Sequence, residues 1–257
     1  MAYVLGFLYA DGTIVDASVS SRTQYIQFNS KDKEILEAIK FALFADHPIY
    51  YRPPKKLRHR NGVYTSSEQY CLRVGSRRMF ADLIKIGLTP HKSKTIGFPD
   101  NIPDKYSNHF IRGYFDGDGC VYFQIIPGKI KESVVRRLNI IFTSGSKTFL
   151  RGLSDSLRRS IGIDKDKIYT SNYAYQLRYF VHDTIKLFKF LYKDVTDDLY
   201  LKRKLKVFSK YFQLRPLIAD NEVRGIFKNL TWPGVREARK RSAKPFYMGA
   251  NPIPASS

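Results

Sequence analysis

Two stretches of this chain carry the same short pattern, and that repeat constrains the fold more than any other feature. Residues 4–12 read VLGFLYADG and residues 111–119 read IRGYFDGDG. Each is a mostly apolar run with small residues four apart, Gly6 and Ala10 in the first and Gly113 and Gly117 in the second. Each ends in Asp-Gly. Small residues at i and i+4 let two helix backbones approach closely, because no side chain holds them apart. If Gly6 and Ala10 face Gly113 and Gly117, the helices cross tightly and their C-terminal ends bring Asp11 and Asp118 together. The pattern predicts two similar halves that share one carboxylate site.

The flanking sequence repeats in the same order. After Gly12, TIVDASVS alternates, with Val15, Ala17 and Val19 on one side and Asp16, Ser18 and Ser20 on the other, which signals a strand. QYIQFNS alternates again, with Ile26 and Phe28 on one face. Ser30 or Asp32 can cap a helix through EILEAIKFAL, whose apolar stripe is Ile35, Leu36, Ile39 and Leu43. HPIYYR and EQYCLRVGS follow as strands separated by the basic loop PPKKLRHRNG, and RRMFADLIKIG reads as a helix ending at Gly87. In the second half CVYFQII and RRLNIIFTS are strands, SKTFLRGLSDSLRRSIG is a helix closed by Gly162, KIYTS and YQLRYFV are strands, and HDTIKLFKFLY is a helix. Each half is αββαββα. Asp118 follows Asp11 by 107 residues, Ile140 follows Ile26 by 114, and Leu177-Arg178 follow Leu72-Arg73 by 105. The drift falls in loops, as an insertion near PGKIKES and a deletion opposite PPKKLRHRNG, where length changes are tolerated. The expected organisation is an N-terminal half over 1–99, a linker over 100–108, a C-terminal half over 109–215 and a basic extension over 216–257.

Charge narrows the partner. The 257 residues hold 44 Lys and Arg against 23 Asp and Glu, a formal +21. Such self-repulsion is relieved by a polyanion, and nucleic acid leads. A membrane is disfavoured, since no basic amphipathic helix stands alone and no 18-residue apolar run occurs. Two cysteines, Cys71 and Cys120, make neither a disulfide framework nor a zinc site. With no signal peptide at the N-terminus, an intracellular place is expected, in cytoplasm, nucleoid or organelle matrix, and not secretion.

A carboxylate at a helix C-terminus meets partial negative charge, and two together repel. A divalent cation between Asp11 and Asp118 answers both problems. Mg²⁺ suits the place, held by carboxylates, by carbonyls of the last turns such as those of Ala10 and Gly117, by water and by substrate phosphate oxygens. Mn²⁺ or Ca²⁺ can substitute for binding. Paired carboxylates with metal beside a polyphosphate backbone point to phosphodiester hydrolysis.

VLGFLYADG and IRGYFDGDG resemble the two signature motifs of single-chain LAGLIDADG homing endonucleases, over roughly residues 1–212. The resemblance implies an α+β fold of pseudo-twofold duplicated αββαββα units, each with a four-stranded antiparallel sheet, together forming a DNA-binding saddle. It implies a monomeric, intron-encoded type of enzyme that cuts both strands of a long asymmetric site with Mg²⁺ and leaves four-base 3′ overhangs. The acidic residue before each final Gly is the family's metal ligand, which maps onto Asp11 and Asp118. The first motif departs at Tyr9, where the second has Asp116, a position that is usually structural. The family also tends to place a basic residue from each half near the metals. GLTPHKSKTIGFP offers His91, Lys92 and Lys94, and DLYLKRKLKV offers Lys202, Arg203 and Lys204. On chain spacing Lys94 and Lys204 are the best matched pair, in a catalytic role.

A strand that reads the major groove needs one apolar face and one polar face. In the first half Tyr25, Gln27, Asn29 and Arg73 face away from the core set. In the second Arg137, Asn139, Gln176 and Arg178 do so. Lys55, Lys56, Arg58 and Arg60 in the basic loop, and REARKRSAK in the tail, suit phosphates. Two alternatives stand beside a site-specific endonuclease on double-stranded DNA: an intron RNA maturase of the same fold, and a catalytically silent DNA-binding regulator.

Overall fold

The computed structural model describes residues 1–17, 23–59, 62–127, 134–164 and 167–231. Its central helices are α1 (Ala2–Asp11) and α4 (Asp104–Asp118). Helix α1 is apolar on nearly every side, and Tyr3, Val4, Gly6, Phe7, Leu8 and Tyr9 are all buried, as an all-round apolar helix must be. It crosses α4 at backbone contact. A Cβ on Gly6 would lie 1.9 Å from the Phe110 carbonyl oxygen, and one on Gly113 would lie 2.0 Å from the Tyr3 carbonyl oxygen. The two contacts are images of each other, each partner recurring 107 residues on, as in a twofold interface. Both helices then hand over directly to a strand through an extended glycine, Gly12 (φ −87°, ψ 155°) and Gly119 (φ −91°, ψ 157°). A side chain there would strike the preceding turn, 2.7 Å from Leu8 O and 2.5 Å from Phe115 O.

Two four-stranded antiparallel sheets follow. The first has the order β1 (Gly12–Ala17), β2 (Thr23–Ser30), β6 (Gln69–Gly75), β3 (Ile49–Arg52); the second has β7 (Gly119–Pro127), β8 (Val134–Ser144), β10 (Ala174–Phe180), β9 (Ile168–Ser171). Their registers coincide. Gly12 pairs Phe28 as Gly119 pairs Phe142, and Phe28 pairs Leu72 as Phe142 pairs Leu177. Helices α2 (Lys33–Ala42) and α3 (Arg77–Lys85) cover one face of the first sheet, and α5 (Lys147–Ile161) and α6 (Val181–Tyr192) cover one face of the second. Ser76 and Ser146 cap α3 and α5 by accepting from Met79 N and Phe149 N, and Gly162 closes α5 in the left-handed region. One hydrophobic core runs through all of these elements. No helix among the described residues is long and apolar enough to cross a membrane.

Four readings of the sequence need correction. In β1 the core residue is Ile14, opposite Ile26, whereas Val15 lies opposite Tyr25. Register against β2 overrides the alternation of a short, weakly polar strand. The loop PPKKLRHRNG holds part of a hairpin, β4 (Lys56–His59) paired with β5 (Gly62–Thr65). It escapes a hydrophobic-period reading because β5 is exposed at every residue. In the second half the corresponding connection is the turn Asn172–Tyr173, both at positive φ, which suits a tight hairpin. Asp104–Asn108, within the expected linker, start helix α4 directly after Pro103. Helices α7 (Lys202–Leu214) and α8 (Asn221–Thr231) close the described chain. Helix α8 lies in the expected extension yet packs like core. Val223, Ile226 and Leu230 are buried, and Phe227 stacks on Phe188 at 5.1 Å. The tail segment REARKRSAK lies outside the described residues.

Candidate active site

Asp11 and Asp118 are the last residues of α1 and α4, and the crossing carries them to one place. The small residues set the closeness. A Cβ on Gly117 would lie 2.3 Å from the Ala10 Cβ and 3.5 Å from Asp11 Oδ2. The electrostatics show the strain of the pairing. Burial, and then the charge of Asp11, push the Asp118 carboxyl up to about 6, with Lys92 and Lys204 pulling the other way. Asp11 keeps a side open to solvent, yet loss of water from its packed flank raises it as well. Lys204, Lys92 and Arg203 oppose that rise.

Two buried lysines complete the site, one from each half. Lys92 Nζ donates to the carbonyl of Gly12 at 2.7 Å. Lys204 Nζ donates to the carbonyl of Gly119 at 2.6 Å, to that of Asp116 at 2.9 Å, and to that of Phe115. Gly12 and Gly119 are equivalent positions of the repeat, so Lys92 is the counterpart of Lys204. This corrects the pairing of Lys94 with Lys204, because Lys94 is exposed. His91 in the left-handed region (φ 61°) starts a short 3₁₀ turn over Lys92–Lys94 that buries Lys92. Burial lowers both amines, Lys204 to about 8. An ammonium has three donors, and those of Lys204 all go to backbone carbonyls at the end of α4. It neutralises the negative end of that helix and does not reach outward.

The asymmetry between Tyr9 and Asp116 has a chemical reason. In the first half the motif side chain meets a carbonyl, and the Tyr9 hydroxyl donates to Ile86 O at 3.2 Å. In the second half it meets donors, and Asp116 Oδ2 accepts from Leu201 N at 2.9 Å and from Tyr3 Oη at 2.7 Å. Asp116 is buried, which raises its carboxyl, while Lys204 most strongly opposes the rise. Arg112, with no exposed surface, donates to the carbonyls of Leu199 at 3.1 Å and Leu191 at 2.9 Å and lies over the Tyr3 ring. Sequence reading passed over Arg112, although a guanidinium inside an apolar motif helix signals a built hydrogen-bond cage.

The polar sheet faces hold most of the remaining candidates. Arg73 Nε donates to Gln27 Oε1 at 2.7 Å and its guanidinium lies over the Tyr25 ring; Gln27 Nε2 donates to Asn29 Oδ1 at 3.1 Å. In the second half Arg178 donates to Gln176 Oε1 at 2.7 Å and lies over the Tyr169 ring. Arg137 is exposed. Asn139 is only 5% exposed, because its strand partners on the same face are Tyr122 and Phe180. Lys55, Lys56 and Arg58 are exposed, and Arg60 lies outside the described residues.

With this geometry the relatives can be placed. Residues 105–191 match the family model of a LAGLIDADG-like domain. The chain contains a LAGLIDADG-like domain. It spans α4 to α6 and includes Asp118. The fold of the whole chain is similar to that of the LAGLIDADG homing endonuclease I-LtrWI bound to target DNA, at 15% identity over 98% of each chain with a TM-score of 0.56. It is also similar to the homing endonuclease I-WcaI bound to its DNA recognition sequence (12% identity, 80% of this chain and 84% of that one, TM-score 0.54). The LAGLIDADG meganuclease I-CpaMI bound to uncleaved DNA is similar at 16% identity, over 93% and 96% of the two chains, with a TM-score of 0.53. No curated protein sequence matches the chain. Asp11, outside the LAGLIDADG-like domain, stands against it through the repeated register and the helix crossing.

Proposed function

We propose that this protein is a site-specific DNA endonuclease that hydrolyses one phosphodiester on each strand of a long, asymmetric duplex site. The observation that carries the reading is the carboxylate pair, Asp11 and Asp118, between two sheets in matching register whose polar faces each bear an arginine laid on a tyrosine. A protein that only bound DNA would have no use for two carboxylates crowded together beside its polyanion. The solved structures of similar fold that are bound to DNA support the same partner.

A divalent metal fits the donors. Among the described residues no group of three or more His, Cys, Asp and Glu converges, so the protein offers two carboxylates with carbonyls near them. That set suits a hard cation such as Mg²⁺, which completes its shell from water and phosphate. When bound, such an ion supplies charge stabilisation at the scissile phosphate and a more acidic water. Asp11 and Asp118 would hold and orient it, while Ala10 and Gly117 keep the helix ends close and Lys204 offsets the negative end of α4. Among the described residues Lys92 Nζ commits one donor, to Gly12 O, and has others to offer a phosphate oxygen. A monomer carrying both halves in one chain, working inside the cell and leaving 3′ overhangs, completes the reading. The test is cleavage of a randomised duplex library with Mg²⁺, followed by sequencing of the ends. One recurring site with staggered 3′ ends is expected, and no cleavage of any duplex would refute it.

The hairpin makes a separate prediction. Replacing Lys55, Lys56 and Arg58 with Gln is expected to weaken binding about equally on every sequence. It should also reduce the slope of log affinity against log salt by about 2–3, near 0.9 per lost phosphate contact. Lost selectivity at an unchanged slope, measured by salt-titrated filter binding, would overturn the phosphate assignment.

A further inference from the structure

The turn of α7 that carries Lys204 is held from two sides. From its own half, Asp116 accepts from the Leu201 N–H, and Lys204 grips the end of α4. From the other half, Asp32 and Glu34 at the start of α2 take its next two side chains. Arg203 Nε donates to Asp32 Oδ2 at 2.9 Å, and Lys202 pairs with Glu34. Both ion pairs join a residue before 99 to a residue after 109, and both are made by this one turn.

The arrangement is reciprocal. The segment that carries Lys92 belongs to the first half but lies on the second. A Cβ on Gly145 would come within 2.4 Å of Ser93 O, and one on Gly152 within 2.3 Å of the Phe98 Cβ. Phe98 also meets Phe110 and Phe149 edge-on or tilted. Each lysine therefore touches the motif end of its own half from a segment fastened to the other. The first fastening is close packing. The second is ionic and on the surface.

We propose that Asp32 and Glu34 are positioning residues for the second half of the active site, acting through Lys202 and Arg203 to set the height of Lys204 against the end of α4. Exposed ion pairs add little to stability, so their loss leaves the fold standing. Small displacements at a reacting centre cost far more, and the displaced turn carries the lysine that grips the second motif end, Lys204, and not Lys92 on the first. The inference rests on the endonuclease reading. Its consequence is unequal cutting of the two strands.

The experiment is single-turnover cleavage, at saturating protein, of a library-selected duplex labelled separately on each strand. The variants are Asp32→Asn with Glu34→Gln, and Asp32→Glu with Glu34→Asp, which keeps both charges. The neutral pair is expected to slow one strand about three- to tenfold and the other less than about twofold, so that nicked product accumulates. The charge-keeping pair should cut both strands at the wild-type ratio. Equal slowing of both strands, or no slowing, overturns the proposal while the nuclease reading stands. Wild-type protein that cuts neither strand overturns the nuclease reading, and this inference with it.

Discussion

Asp118→Asn is expected to abolish cleavage and to leave DNA binding intact or tighter. A bound divalent ion contributes several kcal/mol of charge stabilisation to phosphodiester hydrolysis, so removal of one of two carboxylates should slow cutting at least about 10³-fold. Binding should survive, because on the proposed function the change removes a negative charge from a surface that would face phosphates. The same variant carries a stability signature. Asp118 titrates near 3.8 when unperturbed and about 6 in the folded protein, through burial and the charge of Asp11. The folded state thus holds this proton more tightly than the unfolded chain between those values. In metal-free protein the contribution of Asp118 is most favourable below about pH 4, declines as pH rises through the window, and stays unfavourable above it. Asparagine carries no charge to desolvate. The variant should therefore melt about 2–6 °C higher than wild type at pH 7.5 without metal, with the gain fading towards pH 4. Mg²⁺ should raise the melting temperature of wild type and do so less for the variant. A gain that persists at pH 4, or equal stabilisation of both by Mg²⁺, would mean the carboxylate is not the strained metal ligand described.

Periodicity recovers what is periodic here. The core faces around Ile26, Phe28, Leu138, Ile140 and Phe142 alternate cleanly, and each is buried as the pattern demands. The offsets of 107, 114 and 105 residues reappear as identical strand registers in the two sheets. Composition cannot choose among 44 basic residues. Lys92 and Lys94 differ by two positions in a segment of no regular period, and the left-handed His91 that leads into their short turn leaves no periodic signal. Asn139 shows another limit. It keeps the outward parity of its strand, yet Tyr122 and Phe180 on neighbouring strands enclose it, and the sizes of those neighbours are unknown until strand order is known. The hairpin of β4 and β5 and the helix α8 fail for opposite reasons. The hairpin has no buried face to betray it, and the apolar stripe of α8 sits beyond the repeat that organised the reading.

Gly6→Ala and Gly113→Ala are expected to destabilise the protein by about 3 kcal/mol or more each, against the usual sign for glycine in a helix. Alanine ordinarily gains about 0.8–1 kcal/mol over glycine in a helix interior. At Gly225 in α8 no described residue lies within 4 Å of the place a methyl group would take, so Gly225→Ala should show that ordinary gain. At Gly6 and Gly113 the added carbon would meet a carbonyl oxygen at 1.9 and 2.0 Å. The obstacle is backbone of the partner helix, which no rotamer change can clear. The helices must separate, and overpacked cores of this kind lose about 1–3 kcal/mol or more. Separation also loosens the hydrogen bond from Tyr3 to Asp116 and moves Asp11 away from Asp118, so cleavage should fall further than stability does. Because one separation relieves both clashes, the double variant should cost less than the two single losses combined, a coupling that a double-mutant cycle in urea measures directly. Strict additivity, or a Gly6→Ala protein that melts like wild type, would place the join between the halves somewhere other than this crossing.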